Sequence, residues 1–158
     1  FSTMKADRPA QDNEEAHTLL KEYFMNAGIP FVEIEGRYKG VHELAFLMNA
    51  EHVPEDAIRL YCLHGRQECY MSVEAWKHGT MKAVLTDTSS GAKTSIGFFR
   101  SVSKDIVDKL NLDYTYRKDV NMYWTVWPTD TTLIGQFEDE VAYALEHGLD
   151  ALAAMKAA

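Results

Sequence analysis

Two short polar segments hold the residues of this chain that are best suited to chemistry. The first is an expected glycine-containing hairpin that contains Tyr38, His42 and Glu43. The second, Gln67-Glu68-Cys69, follows an expected helix and leads into the next expected strand. A tight turn holds the ends of two strands together, and Glu68 lies where another strand begins. We therefore expect several of these polar groups to converge at one edge of a sheet.

Each of these residues also has an ordinary structural interpretation. Glu43 alternates with the apolar residues of its strand, so it either faces solvent or contacts a ligand. Glu68 is either an exposed loop carboxylate or part of the same site. Tyr38 and His42 can equally cover apolar surface of the hairpin. Together, aromatic groups, carboxylates and a net charge of −8 indicate a ligand that combines a purine with a positive centre.

Charge and composition exclude several classes of protein. The 16 Lys and Arg residues are scattered among 24 Asp and Glu residues, which does not favour binding to phosphate backbones. No apolar run approaches the roughly 20 residues that a membrane span requires, and no signal sequence precedes the first helix. We expect a cytoplasmic protein with no nucleic-acid or membrane partner.

The sequence lacks the motifs of nucleotide-dependent, metal-dependent and serine-dependent enzymes. It has no glycine-rich Rossmann loop, no GxxxxGK and no GxSxG. Its six histidines show no metal-ligand pairing, and Cys62 and Cys69 alone cannot form a zinc site. We therefore expect no metal and no other cofactor, and a reducing compartment in which both cysteines stay free.

The order of expected elements indicates an α+β fold. Residues 1–10 show no periodicity and are expected to be a disordered terminus or an expression remnant, and residues 11–158 to form one domain. The expected helices cover residues 12–27, 54–65, 103–111 and 136–155, and the expected strands residues 31–35, 41–48, 69–75, 81–85, 94–99 and 121–127. This order predicts a largely antiparallel sheet with packed helices and a ferredoxin-like core.

The run from Asn26 to Ala45 with its Gly40 turn, followed by Gln67-Glu68-Cys69 and two strands, resembles a known family. It is similar to the small phage-encoded enzymes that cleave S-adenosylmethionine (SAM), which comprise SAM hydrolases and SAM lyases. The resemblance covers about residues 16–85. It implies a homotrimer of ferredoxin-like subunits, related in shape to the PII signalling proteins, with SAM held between subunits. An aromatic-rich segment, Tyr114 to Trp127, also favours an interface.

The resemblance implies a purpose and a set of roles. Destroying the methyl donor of an infected cell would blunt restriction-modification. The sulfonium is a good leaving group, so the substrate carboxylate can attack its own γ-carbon and release methylthioadenosine and homoserine lactone. Glu68 or Glu43 would hold the substrate ammonium, while Tyr38, His42 and Gln67 would contact the substrate.

Three alternatives to the lyase remain open. In a SAM hydrolase one glutamate would activate water and the product would be homoserine. A non-catalytic PII-like sensor of adenine nucleotides would use the same trimeric scaffold, and an acidic phage protein could instead inhibit a host enzyme by surface mimicry. The lyase is favoured because intramolecular attack exploits proximity without activation of water.

Overall fold

A computed structural model describes Ser2, residues 10–129 and residues 136–157, and it shows an α+β protein. The side chains at positions 10, 78, 136, 156 and 157 are outside this description. The elements in chain order are α1 (Ala10–Ala27), β1 (Val32–Tyr38), β2 (Val41–Leu47), α2 (Glu55–His64), β3 (Cys69–Ala75), a 3₁₀ turn (Lys77–Gly79), β4 (Met81–Asp87), β5 (Lys93–Val102), α3 (Lys104–Leu110), β6 (Tyr114–Arg117), β7 (Met122–Trp127), α4 (Gln136–His147) and α5 (Leu149–Ala157). None of these helices is long and apolar enough to span a bilayer, as far as the described residues go.

The strands form one curled seven-stranded sheet in the order β2-β1-β6-β7-β5-β4-β3. Each ladder between described neighbours is antiparallel, as the sequence predicted. β5 and β6 run in the same direction on either side of β7, so β5, α3 and β6 form one split βαβ unit. The complete ferredoxin-like arrangement is not confirmed, because the remaining described strands, β1 to β4, form two hairpins at the sheet edges instead of a second such unit.

The predicted hairpin near Gly40 is confirmed, and it closes through two residues. Tyr38 pairs with Val41, and the intervening Lys39 and Gly40 have φ angles of 50° and 79°. Positive φ at both central residues defines a type I′ turn, whose twist matches that of the flanking strands. The turn fixes the β1–β2 register, which places Glu43 opposite Gly36.

The ends of the first two helices also follow from local chemistry. Gly28, at φ 69°, ends α1, and the following Ile29 N–H donates to the Phe24 carbonyl at 2.9 Å. This is a Schellman ending, and it confirms the predicted stop. At the end of α2 the left-handed position belongs to Arg66, at φ 55°, whereas the predicted terminator Gly65 has φ −77°.

Two expectations about the second half of the chain are wrong. β6 was not predicted, because four residues give only a short alternating Tyr-Thr-Tyr signal. The expected single helix 136–155 is broken at Gly148, whose φ is 94°. Ala144 and Leu152 pack on Trp127, whereas Leu145 is 43 % exposed.

The sheet has one face covered by helices and one open face. Cross-strand partners share a face, and neighbouring residues of a strand lie on opposite faces. On the covered face Phe46 packs against α1, Tyr70 donates to Glu55 of α2, and Trp127 packs against α4 and α5. On the open face the Phe99 and Trp124 rings stack at 5.3 Å and remain half-exposed. The open face also carries Ile34, Glu43, Cys69, Met71 and Val126.

Candidate functional site

The two predicted polar segments lie at the same end of the strands. The antiparallel ladders run β1, β7 and β4 in one direction and the other four strands in the opposite direction. Tyr38 at the end of β1, Asp87 at the end of β4 and Cys69 at the start of β3 therefore share one end of the sheet. β2 and β3 are its two edge strands, and the sheet is curled.

Glu43 lies on the open face, opposite a glycine of β1. Its partner across the ladder is Gly36, which has no side chain. A Cβ at that position would lie 3.1 Å from the Tyr114 carbonyl oxygen, so the backbone there is closely packed. Glu43 is half-buried, and this burial raises the pKa of its carboxyl, an effect that the nearby His42 partly offsets. A half-buried carboxylate beside a glycine can accept a cationic group of a ligand.

The surroundings of Cys69 show which charged side chains converge at this end. The pKa of the Cys69 thiol is raised first by burial and then by the negative charges of Glu68, Asp87 and Glu43, while Lys39 lowers it. Asp87 is the cross-strand partner of Cys69 and Glu68 is its neighbour in the chain, while Glu43 and Lys39 belong to the other hairpin at this end of the sheet. We call Glu43, Glu68 and Asp87 the acidic cluster. The structure thus places the two predicted glutamates at the same end of the strands but at opposite edge strands of the curled sheet, whereas one shared edge was expected.

Glu68 and Gln67 are held by the backbone between α2 and β4. The Gln67 N–H donates to the Cys62 carbonyl at 2.9 Å, and the Glu68 carbonyl accepts from the Thr88 N–H at 2.9 Å. The Gln67 side chain is half-buried, whereas the Glu68 side chain is exposed. The Glu68 carboxylate is therefore a solvent-exposed member of the acidic cluster.

Asp87 and Lys39 were not among the residues expected to contact SAM. Asp87 is the cross-strand partner of Cys69, so only the β3–β4 register reveals its position. Lys39 occupies the turn that follows Tyr38, and its Nζ lies 5.4 Å from the centre of the Tyr38 ring. The signal that could have identified Lys39 is a long cationic side chain in a turn position that normally takes Asn, Asp or Gly. Tyr38 itself is 47 % exposed.

His42 is not brought to the acidic cluster. It neighbours Glu43 in β2 and therefore projects from the other face of the strand. Its Nε2 lies 3.7 Å from Oε2 of Glu35, and both side chains are largely exposed. The structure thus separates this predicted substrate contact from the other candidates by the thickness of the sheet.

The cysteines are free, as expected, and the thiol of Cys62 is inert. Cys62 is buried, and burial raises its pKa to about 11. Thiols with raised pKa values stay protonated and are poor nucleophiles and poor metal ligands. Within the described part of the chain, no group of three or more His, Cys, Asp or Glu side chains is arranged to hold a metal ion.

A shallow groove lies at the opposite end of the strands from the acidic cluster. It has a volume of about 370 Å³ and is lined by residues 101–104 and 121–123. These residues include one cation, Lys104, and no carboxylate, so the groove does not share the chemistry of the cluster.

The S-adenosylmethionine lyase family model matches residues 1–127. The match covers most of the chain, including all seven strands and the whole acidic cluster, and leaves α4 and α5 outside. The chain therefore belongs to the S-adenosylmethionine lyase family, an enzyme family that acts on SAM. This confirms the predicted family and extends the similarity well beyond residues 16–85. No curated protein and no solved structure matches the chain.

Proposed function

We propose that this protein is a SAM lyase that converts SAM into methylthioadenosine and homoserine lactone, with its site at the acidic cluster. The observation that supports this most directly is the half-buried Glu43 on the open face, with the carboxylates of Glu68 and Asp87 at the same end of the sheet. SAM carries a sulfonium and an ammonium group, and membership of the family supports SAM as the substrate. A site with several carboxylates favours binding of a ligand that carries two positively charged groups.

In this proposal Glu43 holds the substrate ammonium. Charge-assisted hydrogen bonds to a carboxylate are roughly twice as strong as neutral ones, and partial burial strengthens them further. Glu68 gives a second contact from the solvent side, and the half-buried Gln67 offers an amide next to it. The exposed ring of Tyr38 is available for stacking on the adenine.

The reaction requires positioning and no proton transfer. A carboxylate oxygen of the substrate attacks its γ-carbon, a C–O bond forms, and the bond from the γ-carbon to sulfur breaks. The electron pair of that bond moves to sulfur, which leaves as the neutral thioether of methylthioadenosine. Holding the methionine tail in a folded geometry supplies the catalytic advantage of an intramolecular reaction.

We also propose that the protein is a homotrimer with its sites between subunits. The open face carries apolar side chains, among them Phe99, Trp124 and Val126, that no described helix covers. Of the aromatic residues between Tyr114 and Trp127, Trp124 is the one that lies on this face. A neighbouring subunit packed here would cover the apolar surface and would close the site around Glu43.

Labelled water distinguishes the lyase from a hydrolase even if the lactone later opens. The purified chain is incubated with SAM in H₂¹⁸O, with Glu43→Gln as the matched variant. Direct hydrolysis places ¹⁸O in the hydroxyl group of homoserine. A lyase gives unlabelled lactone, whose later hydrolysis places ¹⁸O in the carboxyl group. Absence of methylthioadenosine would contradict both reactions, and label in the hydroxyl group would contradict the lyase.

The proposed biological role is depletion of SAM in the cytoplasm of a phage-infected bacterium, which would deprive restriction-modification systems of their methyl donor. Expression of the chain should lower cellular SAM and improve plating of an unmodified phage on a SAM-dependent restricting host. The Glu43→Gln variant should do neither. An adenine-nucleotide sensor is less favoured, because the acidic cluster repels phosphates, and tighter binding of ATP than of SAM would support the sensor instead.

A further inference from the structure

We infer that Lys39 is a positioning residue that binds the carboxylate of the substrate's amino-acid end and directs it toward the γ-carbon. This inference rests on the proposed SAM lyase function and adds a second anchor to the one assigned to Glu43. Lys39 lies in the hairpin turn and was not among the residues expected to contact SAM.

The backbone conformation at Lys39 is unusual for its residue type. Its φ is 50°, and the next residue, Gly40, has φ 79°. Asn, Asp and Gly adopt this left-handed conformation most readily, whereas a lysine is strained there. Lys39 therefore occupies a turn position that Asn or Gly would adopt at lower conformational cost.

The turn that carries Lys39 is fixed to the start of β6. Its backbone N–H donates to the Asp113 carboxylate at 3.1 Å, and the Arg37 guanidinium donates to the Leu112 carbonyl at 2.5 Å. The Asp113 carbonyl in turn accepts a hydrogen bond at 2.7 Å from the hydroxyl of Thr125, which is buried. These bonds make the hairpin end a rigid platform for a side chain that must position a substrate.

The Lys39 ammonium is available to a ligand. Its Nζ lies 5.4 Å from the centre of the Tyr38 ring and forms no ion pair with any other described residue. A second cation close to the acidic cluster, Arg59, is already engaged. It donates to the carbonyls of Thr88 at 2.8 Å and Ser89 at 2.7 Å.

The charges of the site match the zwitterionic end of SAM. Glu43 would take the ammonium and Lys39 one oxygen of the carboxylate, which holds the α-carbon at two points. The other carboxylate oxygen is then free to reach the γ-carbon. Lys39 only positions the carboxylate, and the balance of bonds is the one given above for the lyase reaction.

The test compares SAM with decarboxylated SAM, which lacks the group that Lys39 would bind. Calorimetry measures both affinities in the parent chain and in Lys39→Asn, whose new residue suits a type I′ turn. We expect Lys39→Asn to bind SAM about 10- to 100-fold more weakly, the range for one charged hydrogen bond. Its affinity for decarboxylated SAM should equal that of the parent. Lys39→Arg should restore most of the SAM affinity and of kcat/KM.

Lys77→Asn is the matched control, because Lys77 lies beside Trp76 at the other end of the sheet. It should change neither affinity. Equal weakening of both ligands in Lys39→Asn, or an unchanged affinity for SAM, would overturn the inference. Melting curves establish that each variant is folded. A parent chain that binds SAM without cleaving it would overturn the proposed function, while the two-ligand comparison would still decide the role of Lys39.

Discussion

The carboxylates of the covered face and of the open face differ in how they are paired with other side chains. On the covered side Glu140 is buried and accepts hydrogen bonds from the Trp127 indole at 3.0 Å and from the Thr129 hydroxyl. Glu33 is likewise engaged, by His17 at 2.7 Å and Lys21 at 2.9 Å. On the open side Glu43 is half-buried and forms no ion pair within the described part of the chain.

Under the proposed function, this difference separates carboxylates that stabilise the fold from one that binds the substrate. Burying a carboxylate costs free energy unless hydrogen bonds replace the lost water. For Glu33, the bond from Lys21 is the strongest of the effects that lower the pKa of its carboxyl. For Glu43, burial dominates and raises the pKa. The open face thus keeps a carboxylate in a state that a cationic ligand would stabilise.

The largest effect is expected from removing the central side chain of the covered face. Trp127 is fully buried. Trp127→Ala should lower the free energy of unfolding by about 3–5 kcal/mol, because it leaves a cavity and removes the indole donor to Glu140. Urea titration measures this change. Trp76→Ala, at a residue that is 41 % exposed, is the control and should cost less than about 1 kcal/mol. Equal losses would contradict the assignment of the covered face as the core.

The second prediction concerns the carboxylate of the open face. Glu43→Gln should lower kcat/KM for SAM by about 10- to 100-fold, the range that one charged hydrogen bond supplies. The melting temperature at pH 7 should be unchanged or higher, because the variant no longer buries a charge. Glu35→Gln, which alters the neighbouring strand on the other face, is the control for a general loss of acidic charge. A comparable loss of activity in both variants would contradict a specific role for Glu43.

The third prediction is a pH dependence that follows from the same carboxylate. Because its pKa is raised in the folded protein, Glu43 contributes stability below its ordinary pKa, and this contribution is lost as the pH rises through the raised value. The stability advantage of Glu43→Gln over the parent should therefore grow with pH. SAM cleavage by the parent should fall on acidification with a midpoint above the ordinary value of about 4.3 for Glu. A constant stability difference from pH 4 to pH 8 would count against the burial of Glu43.

The fourth prediction concerns the neighbouring subunit that is proposed to pack on the open face. Light scattering should give the parent three times the mass of the 18.0 kDa chain. Phe99→Glu places a charge in the apolar surface and should shift this mass toward the monomer, whereas Lys104→Glu, at an exposed position, should not. A parent that is already monomeric at micromolar concentration would rule out a site shared between subunits.

Local chemistry made much of the fold predictable. The bounds of β3 agree with the predicted 69–75, and Ser103 caps α3 as expected, since its hydroxyl accepts from the Ile106 N–H at 3.3 Å. Asn111, at φ 51°, ends that helix at the predicted position. Each of these features depends on neighbours in the sequence, so the residues themselves carry the information.

The arrangement of the site depends on long-range pairing and could be predicted only in part. Glu43 and Glu68 were expected at one edge of the sheet, but the strand order places their hairpins at opposite edges, and no local pattern specifies that order. The position of Asp87 follows from the β3–β4 register, and the position of Lys39 follows from the hairpin turn. The last helix was predicted in one piece because its apolar spacing continues across Gly148.

The smallest effect is expected at His42, a residue that sequence analysis placed in the substrate site. Its side chain is 58 % exposed, and its Nε2 is 3.7 Å from Oε2 of Glu35 on the face away from the acidic cluster. An exposed pair at this distance contributes little, so His42→Gln should change kcat/KM and the melting temperature only slightly, with activity within about twofold of the parent. Steady-state kinetics beside Glu43→Gln measures this directly. A loss as large as that of Glu43→Gln would mean that the strand presents both residues to the substrate, and the distinction between the two faces would then fail where it matters most for catalysis.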